Sequence, residues 1–389
     1  MPRSFDVCVV GGGIIGLWVA RRLVDAGIDT VVVERGVCGS GASGGVLGAL
    51  TAHAPDNWND KKQFQFEALS ELPGLIAALE NETGVAAGYA RCGRLMPIRT
   101  EKFRAQALRR SAASRQTWLH GGRPFGYDVV ELDDCDRWLS PSVAPLGAIR
   151  DDLAARVDPA RYVQAVKASL QDRATILENW SVAEVDSRRR RVVPSDGGPA
   201  IAVDKIVVAA GYTSFELLQP IVGQLIGGGV KGQAAVFHCP EAAGRPLLYD
   251  DGIYVVPHEG DFCAVGSTSE KRWHDEATPD VGRTDFIDKA RSLCPALRDA
   301  SLIRHWAGVR PRCHRTDPIV GPVTSDRSVW VATGGYKITF GIAHRLAAAL
   351  ADEILTGHGG VALPSSFRPP YHLTTVDASL GEHQAPGRS

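Results

Sequence analysis

The chain has 389 residues, of which 44% are hydrophobic and 22% are charged, and its formal net charge at pH 7 is −1. This composition is ordinary for a globular enzyme of one or two domains. The near-neutral charge excludes the strongly basic surface that a nucleic-acid or anionic-membrane partner would need, so we predict no nucleic-acid partner. The basic run Arg188–Arg191 lies between two β-like segments, and we predict a solvated hairpin turn there.

The eight cysteines are scattered without any C-x-x-C pair, which argues against structural zinc and iron–sulfur ligation. We therefore predict no metal site. The first predicted strand begins at Phe5, which leaves no room for a signal peptide, and no apolar run approaches the length of a membrane span. We expect reduced thiols, no transmembrane segment and a cytoplasmic protein.

Residues 5–35 carry the strongest motif, which reads as a strand, a glycine turn, a helix and a second strand. The turn has the spacing G-x-G-x-x-G, in which the glycines allow a tight turn, the close approach of a pyrophosphate and close packing of helix on strand. The helix from about Ile14 to Ala26 would direct free N–H groups and its positive dipole end at a phosphate. The three motif glycines are Gly11, Gly13 and Gly16.

Glu34 ends the second strand of this unit, 18 residues after Gly16. An acidic side chain about 20 residues beyond the last glycine is expected to bind a ribose hydroxyl group. The segment therefore predicts a site for an adenine dinucleotide, and we place Ile14, Ile15 and Arg35 in the same site.

Two further stretches match the glycine spacing but lack the strand–turn–helix context. The first, at residues 39–44, is a loop of small residues that would lie against the pyrophosphate and flavin of the same cofactor. The second, at residues 227–232, precedes a β-like segment, so we predict no second nucleotide-binding unit; this disfavours flavin enzymes that are reduced by a pyridine nucleotide. The cofactor residues predicted in the first loop are Ser40, Ala42, Ser43 and Gly44.

The rest of the chain predicts one domain interrupted by another. Helices are predicted over residues 60–83, 101–118, 159–170 and 283–294, and residues 204–212 form a buried strand that ends at a glycine. From residue 232 onward, strands alternate with turns, which indicates an antiparallel sheet, and residues 328–357 return to strand, glycine turn and helix. We assign residues 1–90, 150–225 and 318–370 to a cofactor domain, 91–149 and 226–317 to a substrate domain, and 371–389 to a polar tail.

Eight motifs in a specific order resemble the D-amino-acid oxidase superfamily of FAD enzymes, and most closely its glycine oxidase, sarcosine oxidase and D-amino-acid dehydrogenase branch. The motifs are GGGIIG with Glu34, SGASGG, VVAAG ending at Gly211, VKGQ (230–233), GIYVVPHEG (252–260), WAGVRP (306–311), DPIVGP (317–322) and GGYKITFGIA. The resemblance implies an α/β fold of the glutathione-reductase type, with a Rossmann-type FAD-binding domain interleaved with an antiparallel-sheet α+β substrate domain.

The resemblance also implies a set of site residues. Arg310 of GVRP would bind a substrate carboxylate through its planar guanidinium, with Arg312 a weaker candidate. Tyr254 would assist by hydrogen bonding, and Lys337 would lie near the flavin and the carboxylate. The start of the last helix would direct N–H groups at the flavin C2 carbonyl. The remaining cofactor residues predicted are Val182, Ala210, Gly211, Gly335, Lys337, Ile338 and Thr339.

FAD is expected to bind non-covalently, because Gly308 occupies the position at which some sarcosine oxidases have the tethering cysteine. The basic segment of the sarcosine branch is also missing, and His53 is the only candidate in its place. The implied reaction oxidises the C–N bond of a small carboxylated amine such as glycine, sarcosine or a D-amino acid. Hydride would pass from the α-carbon to flavin N5, the imine would hydrolyse to a keto acid, and oxygen, a quinone or an electron-transfer protein would accept the electrons.

Three alternatives remain open at this point. Oxidation of a 2-hydroxy acid would require a histidine base near the flavin, and His53, His258 and His314 are the candidates. A tRNA-modification role is disfavoured by the missing basic surface. In the third alternative, the chain is one subunit of a flavoprotein complex and needs a partner for activity. Both homo- and hetero-oligomers are compatible with the sequence.

Overall fold

A computed structural model describes residues 4–132 and 138–374 of the chain. These residues form eight α-helices and twenty β-strands. The helices are α1 Ile14–Asp25, α2 Asp60–Thr83, α3 Glu101–Thr117, α4 Pro159–Ala168, α5 Ser214–Val222, α6 Asp285–Leu293, α7 Thr339–Thr356 and α8 Pro369–Leu373. The strands are β1 Ser4–Val10, β2 Thr30–Val33, β3 Ala49–Leu50, β4 Arg94–Pro97, β5 Leu119–His120, β6 Arg123–Pro124, β7 Tyr127–Val130, β8 Ala148–Asp151, β9 Ala155–Arg156, β10 Thr175–Leu177, β11 Val182–Asp186, β12 Arg191–Pro194, β13 Ile201–Val208, β14 Gly227–His238, β15 Leu247–Asp250, β16 Ile253–Pro257, β17 Phe262–Gly266, β18 Ser301–Cys313, β19 Ile319–Pro322 and β20 Val329–Thr333.

The first sheet has a parallel core and lies in the part of the chain that the sequence assigns to the cofactor domain. Its strand order is β10-β2-β1-β13-β12-β11, and β20 pairs with β13 and with β19. Strands β10, β2, β1, β13 and β20 run parallel to their neighbours, whereas β11, β12 and β19 are antiparallel additions. Helix α1 packs on this sheet through a face that includes Leu17, Ala20 and Leu23, all fully buried, so the predicted strand–turn–helix unit is confirmed.

The second sheet has the order β18-β14-β17-β16-β15-β4-β8-β7. All its pairs are antiparallel except β15 with β4. This arrangement confirms the predicted combination of a Rossmann-type domain with an antiparallel-sheet domain. Strand β14 begins at Gly227 rather than at residue 232, so the glycines at positions 227–232 lie within a strand and form no nucleotide-binding turn.

Helix boundaries follow local capping chemistry. The side chains of Asn59, Thr100 and Asp158 each accept a hydrogen bond from a backbone N–H in the first turn of α2, α3 and α4. The predicted surface helix at 101–118 is α3, whose buried residues are Ala107 and Ser114 alone. No helix within the described ranges is long and apolar enough to cross a membrane.

The two sheets draw on separate parts of the chain, which supports the interleaved domain assignment as a proposal. Strand β8 belongs to the second sheet and ends at Asp151, two residues beyond the boundary predicted at 149/150.

The turn predicted at Arg188–Arg191 joins β11 to β12, and Asp186 accepts hydrogen bonds from the backbone of Arg189 and the side chain of Arg191. The predicted tail overlaps α8 at its start, and residues 375–389 lie outside the described residues.

A buried ion pair joins β4 to β8 in the second sheet. Asp151 is 0% exposed and accepts from Arg94 Nε at 2.7 Å. Its other carboxylate oxygen accepts from the Ala154 N–H at 2.9 Å. We predict that Asp151→Asn lowers the free energy of unfolding by about 3–5 kcal/mol, because it leaves the Arg94 charge buried and unpaired. Urea unfolding followed by circular dichroism measures this loss.

The matched control is Asp152→Asn on the following residue. Asp152 pairs with Arg150 on the surface, where the two side chains are 53% and 55% exposed. We expect a loss below about 1 kcal/mol for this variant. Equal losses for the two variants would contradict the argument from burial.

Candidate active site

A cavity of about 570 Å³ lies between the two sheets. The first sheet contributes the carboxyl ends of β1, β2, β13 and β20, and the second contributes β16 and β18. Ligands in open α/β sheets bind outside the carboxyl ends of parallel strands, and the volume is in the range typical of ligand pockets. The topology therefore places a binding site between the cofactor-binding half and the antiparallel sheet.

The glycine turn after β1 forms one end of this cavity. Gly11 has φ +114°, and a Cβ at this position would overlap the carbonyl oxygen of Ala209 on the neighbouring strand. A Cβ at Gly16 would overlap the carbonyl oxygen of Gly11, so helix and turn are in direct backbone contact. The Ile14 N–H donates to Ser43 Oγ at 3.1 Å, which brings the small-residue loop against the start of α1.

Glu34 lies where this cavity meets a second one of about 380 Å³. Its two carboxylate oxygens accept from the N–H groups of Gly12 at 2.8 Å and Gly36 at 3.0 Å. Val182 lines the second cavity rather than the first. The residues shared by both linings are Gly11, Glu34, Arg35, Ser181 and Ala210. The two cavities therefore meet at the end of β2, next to the glycine turn, where the sequence predicts the dinucleotide.

Most predicted site residues lie on the wall of the first cavity. Those that line it are Gly11, Gly13, Ile14, Ile15, Glu34, Arg35, Ser40, Ala42, Ser43, Ala210, Gly211, Tyr254, Arg310, Lys337 and Thr339. Five predicted residues are absent from this lining, namely Gly16, Gly44, Val182, Gly335 and Ile338, and so is the weaker candidate Arg312. The first of these has a packing role, as described above.

Arg310 is half-buried on β18, next to the cavity. Its Nη1 donates to Ser267 Oγ at 2.8 Å and its Nη2 donates to the Thr268 carbonyl at 2.6 Å. Its Nε is buried and has no hydrogen-bond partner in the described part of the protein. Burial lowers the pKa of Arg310, with smaller opposing effects of Tyr336 and Glu270. The guanidinium thus keeps unused donor capacity beside the cavity, as an anion-binding arginine requires.

Tyr254 lies on β16 and also faces the cavity. Its hydroxyl is 3.1 Å from Thr51 Oγ1, and its ring stacks on Tyr249 with centroids 4.5 Å apart. The backbone carbonyl of Thr51 accepts from Gln65 Nε2 at 3.0 Å, and Gln65 is buried. These contacts fix the hydroxyl of Tyr254 in a defined position on the cavity wall.

Lys337 follows Tyr336 in the turn between β20 and α7. Its Nζ lies 5.8 Å from the centroid of the Tyr336 ring. Burial lowers the pKa of Lys337; Tyr336 opposes this effect, and the neighbouring charges of Arg310 and Arg312 add to it. An ammonium group in this environment carries a charge that an anionic ligand would stabilise.

The candidate histidine bases all lie elsewhere. His53 bonds to Gln65, His258 contacts the Val46 carbonyl at 2.9 Å, and His314 is exposed beyond β18. No histidine of the described residues is part of the cavity lining. This arrangement disfavours a mechanism in which a histidine removes a proton from an alcohol.

The sequence reasoning missed many of the residues that line the cavity, among them the large or charged side chains of Trp306, Tyr336 and Glu276. Trp306 lies on the same face of β18 as Arg310. Because side chains alternate between the two faces of a strand, the four-residue separation of Trp306 from Arg310 in WAGVRP predicts this shared face. Tyr336 immediately precedes Lys337. Glu276 comes from the loop 267–284, which has no periodicity or motif, and it binds Arg35 Nη2 at 2.7 Å and the Tyr212 hydroxyl at 2.6 Å.

A parallel-sheet glycine turn, an acid at the end of β2 and a cationic second wall define a dinucleotide-binding oxidoreductase. The family of FAD-dependent oxidoreductases known as DAO matches residues 6–353. The chain belongs to this family.

Relatives and solved structures agree with this assignment. The glycine oxidase of Pseudomonas aeruginosa is 29% identical over 392 residues, which cover 95% of this chain and 100% of the relative. That of Geobacillus kaustophilus is 25% identical over 346 residues, which cover 87% and 89%. The crystal structure of the Geobacillus kaustophilus glycine oxidase matches with a TM-score of 0.83 at 22% identity, over 95% of this chain and 98% of the other.

The predictions of the family, of FAD as the cofactor and of an FAD-dependent amino acid or amine oxidase or dehydrogenase are therefore confirmed. The enzyme class rests on the family match and on the named relatives. The roles of individual residues remain predictions.

We predict that Glu34→Gln weakens FAD binding about tenfold, because a glutamine offers one oxygen and places an NH₂ group against the second backbone N–H. The ratio of flavin to protein absorbance after dialysis measures the retained cofactor. Glu101→Gln, at an exposed position in the first turn of α3, is the control. If Glu34→Gln retained as much FAD as Glu101→Gln, a role for Glu34 in FAD binding would be excluded.

Proposed function

We propose that the enzyme oxidises the C–N bond of a small amino acid or secondary amine that carries a free carboxylate, such as glycine, sarcosine or a D-amino acid. The observation that carries this proposal is the guanidinium of Arg310, which lies at the cavity wall with a free buried Nε and no acidic partner within 4.0 Å among the described residues. A planar guanidinium binds a carboxylate through paired hydrogen bonds. The names of the relatives point to the same class of substrate.

Substrate binding begins with the carboxylate. Arg310 on β18 supplies the charge, and the Tyr254 hydroxyl, held by Thr51, supplies a neutral donor on β16, a strand of the same sheet that lines the same cavity. Two contacts at one end of a small molecule fix both its position and its direction. The α-carbon then faces the interior of the cavity.

When bound, FAD supplies the chemistry by accepting a hydride from the α-carbon. The described cavity wall includes no histidine, and no base is required if the amine enters neutral, because its nitrogen lone pair then forms the C=N bond as the hydride leaves. The amine proton is lost to water, and a second water molecule hydrolyses the imine to the carbonyl acid and free amine. The protein contributes orientation and electrostatics.

Several features of the cofactor site support non-covalent binding. The described residues of the lining include no cysteine. Cys313 is 1% exposed, and burial raises the pKa of its thiol to about 12, which makes it unreactive.

Lys337 and the start of α7 at Thr339 contribute positive potential to the wall. Oxygen, a quinone or an electron-transfer protein serves as acceptor, and a cytoplasmic location remains a prediction.

We predict that Arg310→Ala lowers kcat/KM for carboxylated amines at least about 100-fold, because loss of a desolvated charge contact costs several kcal/mol. Bound FAD should be retained. Arg310→Lys keeps the positive charge but loses the forked donors, so its kcat/KM should lie between that of the wild-type enzyme and that of Arg310→Ala. Anaerobic bleaching of the flavin by substrate measures the chemical step.

The control for this series is Arg315→Ala. Arg315 lies beyond the end of β18 and stacks 4.8 Å from the Tyr371 ring, outside the cavity lining. Normal turnover by Arg310→Ala would refute the proposed carboxylate contact. A wild-type protein that holds FAD but is bleached by no amine would favour the partner-dependent subunit.

We also predict a pH dependence that belongs to Lys337. Its pKa is lowered by burial, and a lysine is charged only below its pKa. Affinity for acetate, which has no amine to titrate and is ionised above about pH 6, should therefore be constant near neutrality and fall as the pH rises through this lowered pKa. Lys337→Met should bind acetate more weakly and lack the alkaline decrease. Identical pH profiles would exclude a role for Lys337 in anion binding.

A further inference from the structure

Three cations surround one aromatic ring at the cavity wall. The guanidinium carbons of Arg310 and Arg312 lie 5.2 Å and 5.5 Å from the centroid of the Tyr336 ring, and Lys337 Nζ lies 5.8 Å from it. The two arginines are two residues apart on β18 and so face the same side of the sheet. An isolated antiparallel β-bridge pairs the backbone of Arg312 with that of Gly335, and this pairing places the turn that contains Tyr336 against β18.

These three charges lack acidic partners. No carboxylate in the described ranges lies within 4.0 Å of Arg310, Arg312 or Lys337, although cations elsewhere in the chain, such as Arg94 and Arg345, form ion pairs. Glu270 is the one acid that influences Arg310. Glu270 is itself 3.4 Å from Arg283.

Glu270 is also held by hydrogen bonds within its own loop. It accepts from Gln233 Nε2 at 2.9 Å and from Thr268 Oγ1 at 2.5 Å. The wall around Tyr336 is therefore left with three positive charges, in a chain whose net charge is −1. A single substrate carboxylate, bound by Arg310, would balance only one of them.

We propose that Arg312 and the ring of Tyr336 form a second anion subsite beside the first, to which Arg310 and Lys337 contribute, and that the substrate is an amino acid or secondary amine with two carboxylates. This inference rests on the proposed function and narrows its substrate class. It adds a binding contact and no chemical step, because the second carboxylate stays intact while the C–N bond is oxidised. Arg310, Tyr336 and Lys337 line the cavity; Arg312 is not part of the lining, and it approaches this space through the Tyr336 ring, whose centroid is 5.5 Å from its guanidinium carbon.

The first test measures binding without turnover. Holoenzyme is titrated with acetate and with malonate, and the change in flavin absorbance gives each affinity. We expect wild-type protein to bind malonate at least about tenfold more tightly than acetate, because the second carboxylate gains its own charged contact. Arg312→Gln should lose about that factor for malonate and change the affinity for acetate less than about twofold.

Arg315→Gln is the matched control, because Arg315, three residues further along, also stacks on a tyrosine, but its partner Tyr371 is not part of the cavity lining, whereas Tyr336 is. It should leave both affinities unchanged. Equal binding of acetate and malonate by the wild type would overturn the second subsite. An equal loss of both ligands in Arg312→Gln would also overturn it, since a role confined to the cofactor or to folding does not distinguish the ligands. The FAD content of each variant shows whether it is folded.

The second test uses two substrates that differ by one carboxylate. Sarcosine carries an N-methyl group where iminodiacetate carries an N-carboxymethyl group. We expect iminodiacetate to reduce the flavin with the higher kcat/KM, and Arg312→Gln to remove most of this preference through KM. Oxidation of sarcosine without a preference for iminodiacetate overturns this inference and leaves the proposed function standing. Failure of both substrates and of every other carboxylated amine contradicts the proposed function itself.

Discussion

The close backbone contact between β1, α1 and β13 is the constraint on which the rest of the site depends. Gly11 is in contact with the carbonyl of Ala209, and Gly16 is in contact with the carbonyl of Gly11. Side chains at these two positions would separate the helix from the sheet. With glycine there, the start of α1, the end of β2 and the end of β13 meet at one edge, and Glu34 reaches the backbone of the glycine turn. The cofactor channel follows from this meeting of backbones.

Two desolvated arginines, Arg94 and Arg310, differ in whether a carboxylate compensates their charge. Inside the antiparallel sheet, Arg94 is compensated by Asp151 at 2.6 Å, as a buried charge must be to avoid a large desolvation cost. At the cavity wall, Arg310 is also desolvated, yet its partners in the described part of the chain are a hydroxyl and a carbonyl, with no carboxylate among them. A fold has no need of an uncompensated cation in such a place. The cost is accounted for if an anionic ligand completes the site.

The parts that could be predicted from the sequence are those encoded locally. The glycine spacing, Glu34 and the order of strands and helices in the cofactor half depend on short-range patterns, and the structure reproduces them. Arg310, Tyr254 and Lys337 were found only through resemblance to a family, because nothing in their neighbouring residues states that β16, β18 and the turn before α7 border one cavity. Val182 was predicted for the cofactor site and lines its second cavity, since a strand's position along a channel depends on sheet order.

Glu276 shows why the remainder could not be predicted. It comes from the loop 267–284, whose position is determined by distant groups rather than by its own sequence. Buried Lys231 donates to the carbonyls of Asp275 and Thr278 at 2.6 Å and 2.7 Å. Gln233, two residues along the same strand, accepts from the Asp280 N–H at 2.7 Å.

This loop joins the two halves of the protein at the cavity. Its polar anchors on β14 belong to the antiparallel sheet, whereas Glu276 binds Arg35 at the end of β2 and Tyr212 after β13. The same loop supplies Ser267 and Thr268, which orient Arg310. Arg35 lies beside Glu34, where the two cavities meet, and Arg310 lies in the wall of the first cavity. One loop therefore contacts both the arginine proposed to bind the carboxylate and the predicted cofactor residue Arg35, so the positions of these two side chains depend on the same backbone segment.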